Sequence, residues 1–76
     1  MERVVVHGSS NIASRGYEED TKTLEVGFIN RKGGAESVYQ YFGVPQEVWI
    51  DWLQAPSSGQ FFAAKIKGAY PSQKVG

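Results

Sequence analysis

The chain has 76 residues, with eight Lys plus Arg balanced by eight Asp plus Glu, one His and no Cys. That length allows one small domain, and the missing Cys excludes disulfide frameworks and Cys-ligated zinc. Zero net charge removes the broad attraction to polyanions on which general DNA binders rely. The longest apolar run, Phe61-Phe62-Ala63-Ala64, is far short of the roughly 20 residues that span a bilayer. The stretch from Met1 to His7 is too short and too weakly basic for a signal peptide. No membrane role is expected, and a cytoplasmic location is. A core this small is held by packing alone, and self-association is one way to enlarge it.

Residues 1–8 read as an N-terminal extension. Within it, Val4-Val5-Val6 is either a short edge strand or a segment packed on the helices. Ser9-Ser10-Asn11 opens a first strand from about Asn11 to Tyr17, and Glu18 to Lys22 is a charged turn. Thr23 to Ile29 is the clearest strand, because Leu24, Val26 and Phe28 alternate with Glu25 and Gly27. The loop from Asn30 to Glu36 carries Gly33-Gly34, which permit a reversal. Ser37 to Phe42 is the third strand, and the short connections predict an antiparallel meander.

The pattern then turns helical. Pro45 suits a first helical turn, and Glu47 meets the positive end of the helix dipole. Val48, Trp49, Trp52 and Leu53 form one apolar stripe that stops at Pro56. Ser57-Ser58-Gly59-Gln60 fits a capping box for a second helix, which Pro71 closes. Phe62, Ile66, Ala69 and Tyr70 would line its buried face. The predicted class is therefore α+β, with three antiparallel strands followed by two helices on one sheet face (βββαα). The domain spans residues 9–71, and residues 72–76 form a tail.

Several of these residues carry a resemblance: Ser9-Ser10-Asn11-Ile12, Tyr17, Leu24-x-Val26-x-Phe28, Tyr39-Gln40-Tyr41, Val44-Pro45, Ala55-Pro56-Ser57-Ser58-Gly59, Phe62, Ile66 and Tyr70. In this order they resemble the KTSC domain, a short bacterial and phage module. The family is named for its occurrence at the C-terminus of some lysyl-tRNA synthetases, and it also occurs alone. The resemblance implies RNA binding only as a suggestion from the synthetase context. The chain departs from the family pattern in a longer loop before Tyr39, and in Ala63 and Ala69 where polar and basic residues are common. The last two departures weaken any inherited polar or phosphate site on that helix.

Tyr39 and Tyr41 share one sheet face. Facing solvent, they could stack on bases as aromatics on open sheets do, but Gln40 would then be buried without partners. Facing the helices, they fill the core and leave Gln40 solvated, which is the favoured arrangement. Val38 and Phe42 would then join Ile29 in an apolar strip on the opposite face, fit for a homodimer or covered by Val4–Val6. Trp49 and Trp52 lie about 60° apart around their helix, so one is core and the other a candidate interface anchor.

Catalytic sets are lacking: His7 is the only His, and Lys32-Gly33-Gly34 lacks the context of a P-loop. No cofactor or metal is expected. The chain reads as a non-enzymatic binding module. Arg31, Lys32, Lys65 and Lys67 are the candidate contacts for RNA or a nucleotide, with Tyr39 and Tyr41 if exposed. Lys65 or Lys67 could instead answer Glu47 and Asp51 within the fold. The alternative is a phage or bacterial accessory protein that docks on a host protein through Ile29, Val38, Phe42, Trp49 or Trp52, or sequesters a host nucleotide signal.

Overall fold

The computed structural model describes residues 2–30 and 32–76. Its centre is the alternating segment. β3 (Thr23–Phe28) pairs antiparallel with β2 (Ile12–Glu18) on one side and with β4 (Ser37–Tyr41) on the other. Register decides the faces, because directly opposed residues point the same way. Tyr17, Leu24 and Tyr41 lie across from one another, as do Arg15, Val26 and Tyr39. These rows face the helices, so both strand tyrosines point inward. Gly16, Glu25 and Gln40 form a row on the other face.

β2 carries an irregularity between Ile12 and Ser14: Ile12 pairs with Phe28, and Ser14 already pairs with Gly27. The extra residue is Ala13. It turns Ile12 into the core while Ser14 points to the opposite face, where an unbroken strand would put both on one side.

The helices follow. α1 (Gln46–Gln54) starts after Pro45, whose extended backbone and carbonyl begin the first turn, and it ends at Ala55, just before Pro56. α2 (Ser58–Phe61) begins with the predicted cap, in which the Ser57 hydroxyl accepts from the Gln60 N–H at 3.3 Å. It continues into a π-helical turn over Phe62–Ile66, closed by the Lys67 N–H donating to the Phe62 carbonyl at 2.8 Å. The core is Ile12, Leu24, Val26, Tyr41, Val44, Trp52, Phe62 and Ile66. Each such side chain, fully buried, is worth about 1.5–3 kcal/mol. Trp52 adds an indole N–H donated to the Ser58 carbonyl at 2.9 Å, which ties α1 to the start of α2.

The architecture corrects the predicted βββαα order. The sheet has five strands in the order β1-β2-β3-β4-β5, all antiparallel. β1 (Val4–Val5) pairs along β2, with both valines largely exposed. β5 (Ser72–Lys74) pairs with β4 from residues predicted as a tail. Ser72-Gln73-Lys74 has no apolar residue and is exposed throughout. It joins through backbone hydrogen bonds alone, which hydrophobic patterning does not record. The second helix is also shorter than predicted. It stops at Ile66, Lys67 is extended, and Gly68 takes φ +80°, a conformation that costs glycine little. Ala69 is therefore exposed and Tyr70 only half-buried, where the sequence placed both on a buried helix face.

Candidate functional site

Two neighbouring hollows open on the helix-covered side of the sheet. One, about 610 Å³, lies between the Ser9–Asn11 stretch and the Ala55–Gln60 corner. The other, about 500 Å³, lies between Phe28, Tyr39 and Phe62 on one side and Lys67 and Gly68 on the other. Asn11, Gly59 and Ala63 line both, so they form one groove with a waist.

The waist is held from both walls. On the loop side, the Ser9 hydroxyl accepts from the Ile12 N–H at 3.0 Å and the Asn11 N–H at 3.4 Å. Its own proton goes to Asn11 Oδ1 at 3.1 Å. On the helix side stands Gly59, where a Cβ would lie only 3.2 Å from Asn11 Oδ1. Glycine therefore lets the helix come this close to the loop. The corner behind it is fixed by Arg15, whose guanidinium sits 4.9 Å from the Trp52 ring centroid and 5.9 Å from that of Trp49. Arg15 also points an N–H at the Trp52 carbonyl, in the last turn of α1, and at the Ser58 hydroxyl, each at 3.4 Å. Burial pushes its guanidinium below the ordinary arginine value.

The groove lining holds His7 and Lys67 and no Asp or Glu. Aromatic edges form the wall of the second hollow: Phe28 meets Tyr39 edge-on at 5.6 Å and Phe62 at 5.3 Å. Burial, with Tyr39 nearby, pushes the Tyr41 phenol above its ordinary value.

The structure brings together three of the predicted ligand contacts: Lys67, Tyr39 and Tyr41 all line the second hollow. Tyr41 is only 6% exposed, so its ring is core and not a platform for a base. Lys65 is exposed but does not line the groove. Lys32 sits in the β3–β4 loop, away from the groove, its N–H bonded to the Asn30 side chain. Arg31 lies outside the described residues. The one ion pair among the described residues joins Arg3 to Glu25, so no ion pair links Lys65 or Lys67 to Glu47 or Asp51.

The apolar strip is broken up. Ile29 is 43% exposed at the end of β3, but Val38 and Phe42 are half-buried. Val38 exchanges backbone hydrogen bonds with Val75 and Gly76, and the Phe42 N–H donates to the Pro71 carbonyl. Trp52 is fully buried and cannot anchor a partner. Trp49 is half-buried, stacked on Tyr17 at 5.7 Å. Neither does Val4–Val5 fold over the strip, since it extends the sheet as β1.

A polar network occupies the middle of that opposite face. Glu25, 5% exposed, accepts from Arg3 at 2.5 Å and from the Gln40 amide at 2.9 Å. Burial alone would raise the Glu25 carboxyl. The hydrogen bonds from Gln40 and Arg3, with the Arg3 charge, outweigh it and hold the group below its ordinary value. Ser14 accepts from Arg3 at 3.0 Å and donates to Glu36 at 2.6 Å. Gly27 is the floor beneath this pair, since a Cβ there would collide with both Glu36 and Ser14.

The family model described as KTSC domain matches residues 8–70. The chain belongs to the KTSC domain family. A crystal structure of a KTSC domain protein from Yersinia pestis superposes with a TM-score of 0.85 at 39% identity, covering 99% of this chain and 97% of that one. Lysine–tRNA ligases of Nostoc punctiforme and Trichormus variabilis are 41% and 39% identical over 59 residues. The match covers 78% of this chain and 10% of each ligase, so the KTSC chain spans about a tenth of the length of these relatives. No helix among its described residues is long and apolar enough to cross a membrane.

The sequence reading missed Asn11 and Gly59 as site residues, although both stood among those carrying the resemblance. Ser9-x-Asn11 is a turn-forming pair at a strand start. Its meeting with Gly59 is tertiary and leaves no local trace.

Proposed function

We propose that this KTSC domain is a small non-enzymatic binding module of the cytoplasm whose ligand is RNA or a nucleotide, held in the Asn11–Gly59 groove. The observation that carries this reading is the make-up of the groove. It has an aromatic-walled hollow, a lysine on its rim, a polar hollow beside it and no carboxylate in its lining. Flat apolar rings with a phosphate suit such a lining, and a cationic ligand would find no partner there. The presence of a related segment within lysine–tRNA ligases, enzymes that act on a tRNA, is consistent with it.

The test is fluorescence anisotropy with labelled single-stranded RNA and nucleotide mixtures at about 50 mM salt, where phosphate contacts are strongest. Binding that weakens with added salt and with Lys67→Ala is the expected result. No binding of either ligand under those conditions overturns the reading.

A second reading is docking on a host protein or on a second copy of the chain. It rests on Ile50 and Leu53, which are 43% and 48% exposed one turn apart on α1. Such an interface would be nearly indifferent to salt, which separates it from the first.

A further inference from the structure

The waist of the groove presents a donor. Ser9 already receives two backbone N–H groups, so its hydroxyl proton is directed to Asn11 and identifies the acceptor there as Oδ1. The other end of the carboxamide, Nδ2, makes no hydrogen bond to the protein among the described residues. Asn11 is exposed and lines both hollows. Its N–H pair is thus oriented by Ser9, stands beside Gly59, where a larger residue would press on the carboxamide, and is left for a ligand.

The second hollow, which Asn11 also lines, is bounded by the half-buried rings of Phe28 and Tyr39 over the buried Phe62, with Lys67 at its edge. A flat ring bearing acceptor atoms on its edge satisfies both features at once. Every nucleobase has such an edge in its carbonyl oxygens or ring nitrogens. From this juxtaposition, and resting on the nucleotide reading above, we infer that the groove takes a single nucleotide unit. Its base lies in the hollow against the half-buried rings of Phe28 and Tyr39, with an acceptor edge on Asn11 Nδ2, and its phosphate lies toward Lys67. Asn11 is the residue that discriminates, since a ligand with no acceptor on its edge leaves that donor unpaired. A continuous RNA strand adds phosphate contacts but is not required.

Isothermal titration with the four ribonucleoside 5′-monophosphates tests this, with ribose 5-phosphate as the base-free probe. At least one nucleotide binds, and ribose 5-phosphate binds about tenfold or more weakly. Asn11→Asp keeps the acceptor for Ser9 but replaces the donor, and weakens the nucleotide about tenfold or more. Gly59→Ala, which pushes on Asn11, weakens it by about threefold or more. Lys65→Ala, outside the groove, leaves binding unchanged. Circular dichroism confirms that each variant is folded. Nucleotide binding insensitive to Asn11→Asp, or ribose 5-phosphate as tight as the nucleotides, overturns the inference and leaves the nucleotide reading standing. Binding of RNA oligomers without any mononucleotide does the same. No binding of either overturns both.

Discussion

The two faces of the sheet are built from the same strands and held by different physics. On the helix-covered face, Leu24, Val26 and Tyr41 meet Trp52, Phe62 and Ile66 in an apolar layer. On the other face, Glu25 and Ser14 are just as buried, yet no layer covers them. They are enclosed instead by the long side chains of Arg3, Gln40 and Glu36 lying across the strands. The first face gains stability in proportion to area removed from water. The second avoids a loss, because a carboxylate this buried is tolerable only with its partners in place. The contrast explains why two exposed valines make a useful strand: β1 is what positions Arg3 over Glu25.

That contrast is open to attack at graded strengths. Trp52→Ala leaves a cavity in the apolar layer and removes the indole bond to the Ser58 carbonyl, which keeps only its partner in the helix, the Phe62 N–H, and costs about 3–5 kcal/mol. A domain this small has little more than that to lose, so denaturant melts of the variant should start near the midpoint. A loss below about 1 kcal/mol would show that the layer is not what holds the helices.

Arg3→Ala costs less, about 1–3 kcal/mol at neutral pH, since Arg3 is 28% exposed and the orphaned carboxylate regains some water. Its signature is pH. The folded-state value of Glu25 is depressed, so its stabilisation is complete above the ordinary carboxylate range and disappears as pH falls through the folded value. The difference between wild type and Arg3→Ala should therefore shrink from about pH 7 to about pH 3, whereas the Trp52→Ala difference should not. Equal pH profiles for the two variants would erase the distinction between the faces.

Ser14→Ala removes one donor to Glu36 and one acceptor for Arg3, for about 1 kcal/mol. Thermal melts in low and high salt would resolve it. Lys65→Ala, on an exposed turn with no ion-pair partner among the described residues, should stay within about 0.5 kcal/mol of wild type. A larger loss would revive a link to Glu47 or Asp51.

What could be read in the sequence follows the same division. β2, β3 and β4 were legible to within a residue or two, although only β3 shows a clean apolar alternation; β2 carries a bulge at Ala13 and turns Arg15 toward the helices, and it was placed by the turns that flank it. Pro45 and Pro56 bracket α1 as expected. The Ser57 cap is where its motif placed it. β5 was invisible because nothing in Ser72-Gln73-Lys74 packs. Val38 stands on the opposite face, as its period predicts, but beside a polar row of Glu25 and Gln40 that the pattern did not reveal. Glu25 looks like a solvated residue until Arg3 and Gln40, both remote in sequence, are seen to close over it. In the groove, Tyr39 and Lys67 were legible as residue types. The Asn11–Gly59 waist was not, since it exists only when the first strand and the second helix meet.

The two edges of the sheet are made from the two ends of the described chain, β1 on one side and β5 on the other. The polypeptide therefore enters at one border and leaves at the opposite one, four inter-strand spacings or about 19 Å away. Both borders of the sheet are thus short, exposed strands, each held to a single neighbour. One of these border strands follows directly on the Arg3 of the Arg3–Glu25 pair, and the other carries Ser72 at the edge of the groove. Pulling on either end would be felt first at those two places.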